Sequence, residues 1–146
     1  MILSCLYAFL ACIGFCLIFE IKRIRYMIIT SLSGALGWAV FLLLERAGYD
    51  VACYLIATIA VALLAEIFAR IYKCPATMFL RIGIIPLVPG SGVYYAMHNL
   101  ISGDYAGFSH TAIQTAVYAG AIAVGVSVVT AIMRLLFWHP PKPNHH

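Results

Sequence analysis

Apolar residues fill five long stretches of the chain, and most polar and charged residues lie between them. Each stretch has about the 18 residues that an α-helix needs to cross the ~30 Å hydrocarbon core of a bilayer. The pattern therefore predicts an all-α integral membrane protein with five transmembrane helices, forming a single transmembrane domain over residues 1–146. The predicted spans are residues 3–19, 28–44, 51–71, 76–101 and 112–137.

The composition agrees with this pattern, because 64% of the residues are hydrophobic and only 10% are charged. A soluble domain has far more charge. The first apolar stretch could be a cleaved signal peptide, but those carry positive charge before the apolar core. Here Lys22, Arg23 and Arg25 follow it, so we expect a retained first span.

The basic residues predict the orientation of the spans. Their excess follows spans 1, 3 and 5, whereas the alternate loops carry Glu45, Arg46 and Asp50, or Asp104. The positive-inside rule then places the N-terminus outside and the C-terminus in the cytoplasm. Since the charge lies at span ends and forms no patch interleaved with aromatic residues, we expect no nucleic-acid partner.

The fourth span contains a segment that cannot remain helical. Pro86 and Pro89 lack an N–H and push the residues before them out of the α region, so a helix should stop near Ile84. Gly90 and Gly92 permit the turn that follows, and Ser91 is the expected N-cap of a second half-helix running to about Ile101. Half-helices of roughly 13 and 16 Å place the break, over residues 85–90, near the bilayer midplane.

Broken membrane helices have a known chemical use in transporters. The N-terminus of a half-helix offers free N–H donors and a partial positive charge to an anionic substrate group. We therefore predict substrate binding or gating at the break and on the half-helix that follows it. The alternative is a proline kink that only shapes the bundle. The predicted residues are Pro86, Pro89, Gly90, Ser91, Gly92, Tyr94, Tyr95 and His98.

The second half-helix carries a polar stripe. Ser91, Tyr95, His98 and Ser102 recur at i, i+4, i+7 and i+11, which puts them on one face leading outward from the break. They either line an exit path or lie among lipid headgroups. His98 and His110 lack further ligands at suitable spacing, so we expect no metal site and no cofactor.

Two ionisable residues fall inside predicted spans, where charge is expensive and suggests function. Glu66 and Arg81 lie at similar depth on either side of the turn at Cys74 and Pro75, so they could pair and couple transport to protons. The alternative is a structural pair of Glu66 with Arg70, one helical turn away.

Small residues cluster in spans 2 and 5, and such clusters let membrane helices pack closely. Gly34 and Gly37 are examples in span 2, as are Ala116, Gly120, Ala121 and Gly125 in span 5. Five spans can hardly bury all these faces, so we expect a partner chain besides membrane lipid, with a second copy of this chain as a further candidate. The five cysteines form no CxxC pair; Cys12 and Cys16 share a helix face and suit packing.

The segment "KCPATMFLRIGIIPLVPGSGVYYAM", together with "GALGW" and "LLAEIFAR", resembles the threonine/serine exporter family over nearly the whole chain. It is most similar to the family's smaller C-terminal half, which occurs as a separate subunit in two-subunit members. Where relatives have "VPG" before "IIPLVPG", this chain has Arg81, Ile82 and Gly83.

The resemblance implies a non-enzymatic, proton-coupled secondary exporter of small carboxylate-bearing metabolites, either threonine and serine or a dicarboxylate such as succinate. It also implies the larger five-span half as a partner subunit, and the bacterial inner (plasma) membrane as the location. The competing interpretation is a non-transporting scaffold or assembly subunit for another membrane protein. An intramembrane enzyme is disfavoured, because no nucleophile, base and orienting group occur together. His145 and His146 are given no role, since they could be native or the remnant of a tag.

Overall fold

A computed structural model of the chain describes residues 2–21 and 23–136. Lys22, Trp138, Lys142, His145 and His146 lie outside this range. The described residues form six α-helices and one short 3-10 helix, and they contain no strand, so the all-α prediction is confirmed. The elements are α1 (Ile2–Ile18), α2 (Ile24–Arg46), α3 (Asp50–Tyr72), α4 (Ala76–Ile84), the 3-10 helix (Ile85–Leu87), α5 (Gly90–Ile101) and α6 (Tyr105–Leu136).

Three of the helices, α2, α3 and α6, are long and apolar enough to cross a membrane. The pair formed by α4 with the 3-10 helix and α5 adds a fourth candidate, bent by 49° at the break. The 17 residues of α1 are slightly fewer than a full span usually has. The last helix begins at Tyr105, seven residues earlier than predicted, because Asp104 accepts a hydrogen bond from the Gly107 N–H in its first turn.

Several helices end in the same backbone motif, in which a residue with positive φ closes the last turn. At the end of α2, Gly48 has φ 83° and donates its N–H to Glu45, while Tyr49 donates to Leu44. Gly103 ends α5 in the same way, with φ 79°. Glycine suits this position because it has no Cβ to clash in the left-handed region.

The centre of the bundle is α2, which packs on α1, α3 and α4. Gly37 of α2 packs directly on Val61 of α3, and a Cβ on Gly34 would lie 2.6 Å from the Cys12 sulfur of α1. The hydrophobic effect between helices is weak in lipid. Small residues let the helix backbones approach closely, and van der Waals contact then stabilises the packing. The clustering of small residues in span 2 predicted this.

The α5 helix lies apart from this bundle, because among the described elements it packs extensively on α6 alone. Ala96 is its one buried residue, whereas Val93, Tyr94 and Met97 are exposed. From Tyr118 onward α6 returns to the bundle, where the ring of that residue stacks on Tyr54 of α3 with ring centroids 4.5 Å apart. A hairpin of α5 and the first half of α6 therefore extends from the core with most of its surface uncovered.

Candidate functional site at the broken helix

The break has a defined backbone conformation. After the 3-10 helix that contains Pro86, Val88 is extended, with φ −62° and ψ 127°. Pro89 has φ −75° and ψ 59°, an inverse γ-turn in which the Gly90 N–H donates to the Val88 carbonyl at 2.7 Å. The predicted helix end at Ile84 and the resumption toward Ile101 are both confirmed.

The predicted N-cap of the second half-helix is wrong. Pro89, not Ser91, caps α5, and no side chain hydrogen-bonds to the helix start. The reason is the γ-turn, which lets helical geometry begin at Gly90 and so places Ser91 inside the first turn. The first intrahelical bond runs from the Val93 N–H to the Pro89 carbonyl at 3.4 Å.

The start of α5 therefore offers unpaired donors. Among the described residues, no acceptor lies within hydrogen-bond distance of the Ser91 and Gly92 N–H groups. Gly90 and Ser91 are exposed. Unpaired N–H groups at a helix N-terminus carry partial positive charge, so this end of α5 can accept an anionic oxygen.

The two sides of the break differ. Leu87 is buried in the core against the cluster that contains Phe41, Val61 and Ile122. Pro86 and Ile85 instead border an apolar cleft of about 350 Å³, which Tyr7 of α1 and Trp38 of α2 also line. Leu87 is thus anchored in the core, while Ile85 and Pro86 before it border the cleft and Val88 after it is exposed.

The aromatic and polar residues of α5 lie close together on its exposed surface. The ring centroids of Tyr94 and Tyr95 are 5.4 Å apart, and those of Tyr94 and His98 are 6.4 Å apart. Ser102 is the C-cap of α5 and lies just beyond the helix. The structure therefore brings Tyr94, Tyr95 and His98 together on the exposed surface of α5.

Gly92 fixes the position of α5 on α6. A Cβ at this residue would clash with the Thr115 side chain, which is buried at the interface and donates its hydroxyl to the Thr111 carbonyl at 2.7 Å. Gly90, by contrast, has no atom within 4 Å of such a Cβ. The two glycines of the break thus serve different purposes.

Glu66 pairs with Arg70, the alternative partner weighed from the sequence. The Arg70 guanidinium lies 2.7 Å from a Glu66 carboxylate oxygen and also donates to the Glu66 carbonyl. Arg70 reaches the Met133 carbonyl of α6 as well, at 3.4 Å. Arg81 lies elsewhere, at a cleft between the end of α1 and the starts of α2 and α4.

Sequence reasoning missed this second cleft, whose volume is about 360 Å³. Besides Arg81 it is lined by Glu20, Arg23, Tyr26 and Thr77. The lining residues come from two separate stretches of the chain, 19–26 and 75–82, and follow no short motif, so a linear pattern gives no signal for this cleft.

Two buried hydroxyl groups were also missed. The Ser33 and Thr58 oxygens have no hydrogen-bond partner among the described residues, and the two residues are 1% and 0% exposed. Both are packed beside glycines, Ser33 next to Gly83 and Thr58 next to Gly125. No group of three or more histidine, cysteine or acidic residues within residues 2–21 and 23–136 could hold a metal ion.

The described residues form an all-helical, strongly apolar bundle with a membrane-length helix pair broken at two prolines, which is the architecture of a multi-pass membrane protein. The family described as Threonine/Serine exporter, ThrE, matches residues 4–132. The chain therefore belongs to the threonine/serine exporter family, a family of transporters, and the resemblance drawn from its motifs is confirmed. Neither the curated proteins nor the solved structures compared with the chain contain a significant match.

Proposed function

We propose that this chain is one subunit of a secondary exporter that moves small carboxylate-bearing metabolites out of the bacterial cell across the inner membrane, driven by the proton gradient. Family membership supports a transport role of the threonine/serine-exporter type. The observation that supports binding of a carboxylate substrate is the broken helix. It supplies an uncapped helix N-terminus inside an apolar chain.

The substrate carboxylate binds at the start of α5. The N–H groups of Ser91 and Gly92 donate to one carboxylate oxygen, and the Ser91 hydroxyl lies beside them for a second contact. A carboxylate at this end of a 12-residue helix also gains from the helix dipole. Tyr94, Tyr95 and His98 then line the path away from the break.

The chain crosses the membrane five times, with its N-terminus outside. Its 17-residue α1 is about 26 Å long, which suffices for a thin or locally thinned bilayer. The bent pair of α4 and α5 forms the fourth span. Irregular backbone at the depth of the break persists only against protein or a water-filled cavity, so we expect a polar cavity beside Ser91.

A partner subunit completes that cavity. The α5–α6 hairpin is mostly uncovered, and a Cβ on Gly120 of α6 would meet no atom of the described residues within 4 Å. Ala116 lies exposed one turn before it. The larger five-span half of the exporter family is the proposed occupant of this surface.

Proton coupling involves Glu66. Its carboxylate is held by Arg70 near the end of α3, and Arg70 also contacts α6. Protonation would weaken the bond of Arg70 to the Glu66 carboxylate and leave its bond to the Glu66 carbonyl, and the contact between α3 and α6 would then change. Protonation of Glu66 would in this way change the position of α6, the helix on which α5 packs.

The test is transport by the reconstituted pair. Proteoliposomes containing this chain and the larger half are loaded with labelled threonine, serine or succinate, and a proton gradient is imposed. We expect gradient-dependent efflux of at least one compound, and none from vesicles with either chain alone. A pair that assembles but releases no compound would favour the scaffold interpretation, which the uncovered hairpin of α5 and α6 also supports.

A further inference from the structure

The cleft at Arg81 is lined by charged side chains of both signs. Glu20, Arg23 and Arg81 all line it, together with the hydroxyl-bearing side chains of Tyr26 and Thr77. Among the described residues, none of the three charged groups has an ion-pair partner within 4.0 Å. A carboxylate and two guanidinium groups thus share one cavity without neutralising each other.

Arg81 is the least expected of these charges. It is the sixth residue of α4, about 8 Å along the helix from its start, and by the predicted topology it lies inside the fourth span. An arginine at membrane depth is costly unless it faces a partner or a polar cavity. Arg81 is exposed to the cleft, so a ligand there would compensate its charge.

Glu20 is held in an unfavourable backbone conformation. Its φ is 54°, and it closes α1 in the same motif that glycine closes at Gly48 and Gly103, with Ile21 donating its N–H to the Cys16 carbonyl at 3.0 Å. A side chain in this left-handed position costs about 1 kcal/mol relative to glycine. A carboxylate at a helix C-terminus also opposes the helix dipole. Lys73 ends α3 with a similar φ of 52°, so the backbone conformation alone does not distinguish Glu20, and its position in the cleft beside two arginines does.

Arg23 is oriented by its neighbour Tyr26. The guanidinium carbon lies 5.8 Å from the centre of the Tyr26 ring, and one guanidinium nitrogen lies 3.5 Å from the Tyr26 hydroxyl. Stacking of this kind reduces the freedom of the arginine while leaving its remaining donors available. Two arginine forks in one cavity suit a carboxylate or a phosphate.

We propose that this cleft binds a small zwitterionic group, with Arg23 and Arg81 holding its anionic oxygens and Glu20 holding its ammonium. The volume of about 360 Å³ is at the small end of ligand pockets and fits such a group. Two sources share this chemistry: a free α-amino acid, or the headgroup of phosphatidylethanolamine entering between α1, α2 and α4. The amino-acid source rests on the proposed function, whereas the lipid source does not.

The cleft is separate from the break, because none of residues 85–90 lines it and its last lining residue on α4 is Ile82. It lies on the side that the charge pattern predicts to be cytoplasmic. An amino acid bound there would be on the cytoplasmic side of the exporter, from which it would move to the site at Ser91.

The experiment measures ligand binding to the full chain in nanodiscs, without transport. L-threonine is titrated by calorimetry into wild type and into Glu20→Gln, Arg81→Gln and the charge controls Arg25→Gln and Glu45→Gln. We expect Glu20→Gln and Arg81→Gln each to weaken binding about tenfold or more, as loss of a charged hydrogen-bond partner implies. The controls lie outside the cleft and should bind as wild type does.

The lipid source is tested by mass spectrometry of the lipid retained from nanodiscs that contain equal phosphatidylethanolamine and phosphatidylglycerol. Preferential retention of phosphatidylethanolamine, lost in Glu20→Gln and Arg81→Gln, supports the lipid source. Retention of phosphatidylglycerol instead would overturn the zwitterion assignment, because that headgroup has no ammonium. So would L-threonine binding that depends on Arg81 but not on Glu20, or a result in which neither probe distinguishes the variants from wild type.

Glu20→Gly separates a binding role from a folding role. Glycine relieves the positive φ, so this variant should unfold at a higher temperature than wild type while binding less ligand. If the reconstituted exporter transports substrate at the wild-type rate with Glu20→Gln and with Arg81→Gln, the amino-acid source is contradicted. The lipid source is not affected by that result. An exporter that moves no substrate would count against the proposed function and leave the binding results to decide the cleft.

Discussion

Gly34 of α2 and Gly83 of α4 face each other at the point where the two helices meet. A Cβ built on Gly34 would lie 3.6 Å from both the Cα and the carbonyl oxygen of Gly83. The two backbones are therefore in near contact, one residue before α4 ends at Ile84. This contact fixes the first half of the broken helix, so any movement at the break falls on α5.

Gly83→Ala should destabilise the chain. The added Cβ would lie 2.8 Å from a methyl group of Val61, which is fully buried and has no room to move. Overpacking of this kind costs about 1–3 kcal/mol, measurable as a lower unfolding temperature in detergent. Gly14→Ala is the matched control, because a Cβ there meets nothing within 4 Å and alanine favours a helix interior. Equal unfolding temperatures for the two variants would contradict the close contact.

Gly92→Ala should displace α5 from α6. The new methyl group would clash with the Thr115 side chain, so the hairpin would have to open or rotate. We expect lower transport and faster proteolysis within α5. Gly90→Ala adds the same group two residues earlier, where the space is free, and should leave the rate of proteolysis unchanged. If Gly90→Ala is as harmful as Gly92→Ala, then the glycines are needed for backbone freedom and not for close packing.

Pro89→Ala should reduce transport more than it reduces assembly with the partner. Proline holds the inverse γ-turn that starts α5 at Gly90, and alanine allows other conformations there. The measurements are efflux from proteoliposomes and co-purification of the two subunits.

Val88→Ala is the control for Pro89→Ala, since it shortens an exposed side chain of the break and leaves the turn intact.

Ser91→Ala should keep the wild-type unfolding temperature, because the Ser91 side chain caps nothing, and should lower efflux. Unchanged efflux in both Pro89→Ala and Ser91→Ala would remove the break from the mechanism.

Glu66→Gln should retain the fold and abolish the pH dependence of efflux. The pair with Arg70 is partly exposed and contributes at most about 1 kcal/mol, and Arg70 keeps its bond to the carbonyl of residue 66. Arg70→Gln should be more destabilising, because it also loses the contact with Met133 of α6. Efflux that keeps its dependence on pH in Glu66→Gln would reject Glu66 as the proton carrier.

Thr58→Val should stabilise the chain by about 1 kcal/mol, because it removes a buried hydroxyl that has no hydrogen-bond partner among the described residues. Thr30→Val is the matched control. Thr30 is equally buried, but its hydroxyl donates to the Tyr26 carbonyl at 2.7 Å, so its loss should give no such gain. The measurement is the thermal unfolding temperature of each variant relative to wild type. A loss of stability in Thr58→Val would mean that the hydroxyl has a partner in the membrane.

Local chemistry made the helices and the break predictable. Proline restricts its own backbone and that of the residue before it, whatever the surroundings, so Pro86 and Pro89 located the end of α4 correctly. The glycines of span 2 were likewise recognised as packing residues from their spacing. The N-cap at Ser91 was predicted wrongly, because the inverse γ-turn at Pro89 satisfies Gly90 in a way that residue preferences do not indicate.

Contacts between distant residues were decided by the tertiary structure alone. Sequence spacing allowed Glu66 to pair with either Arg70 or Arg81, and the choice depended on how α3 and α4 pack. The cleft of Glu20, Arg23 and Arg81 arises because helix packing brings the end of α1 and the start of α2 beside α4. Backbone preferences act over a few neighbouring residues and can be read along the chain. A binding cavity instead depends on the packing of whole helices, and that appears only in three dimensions.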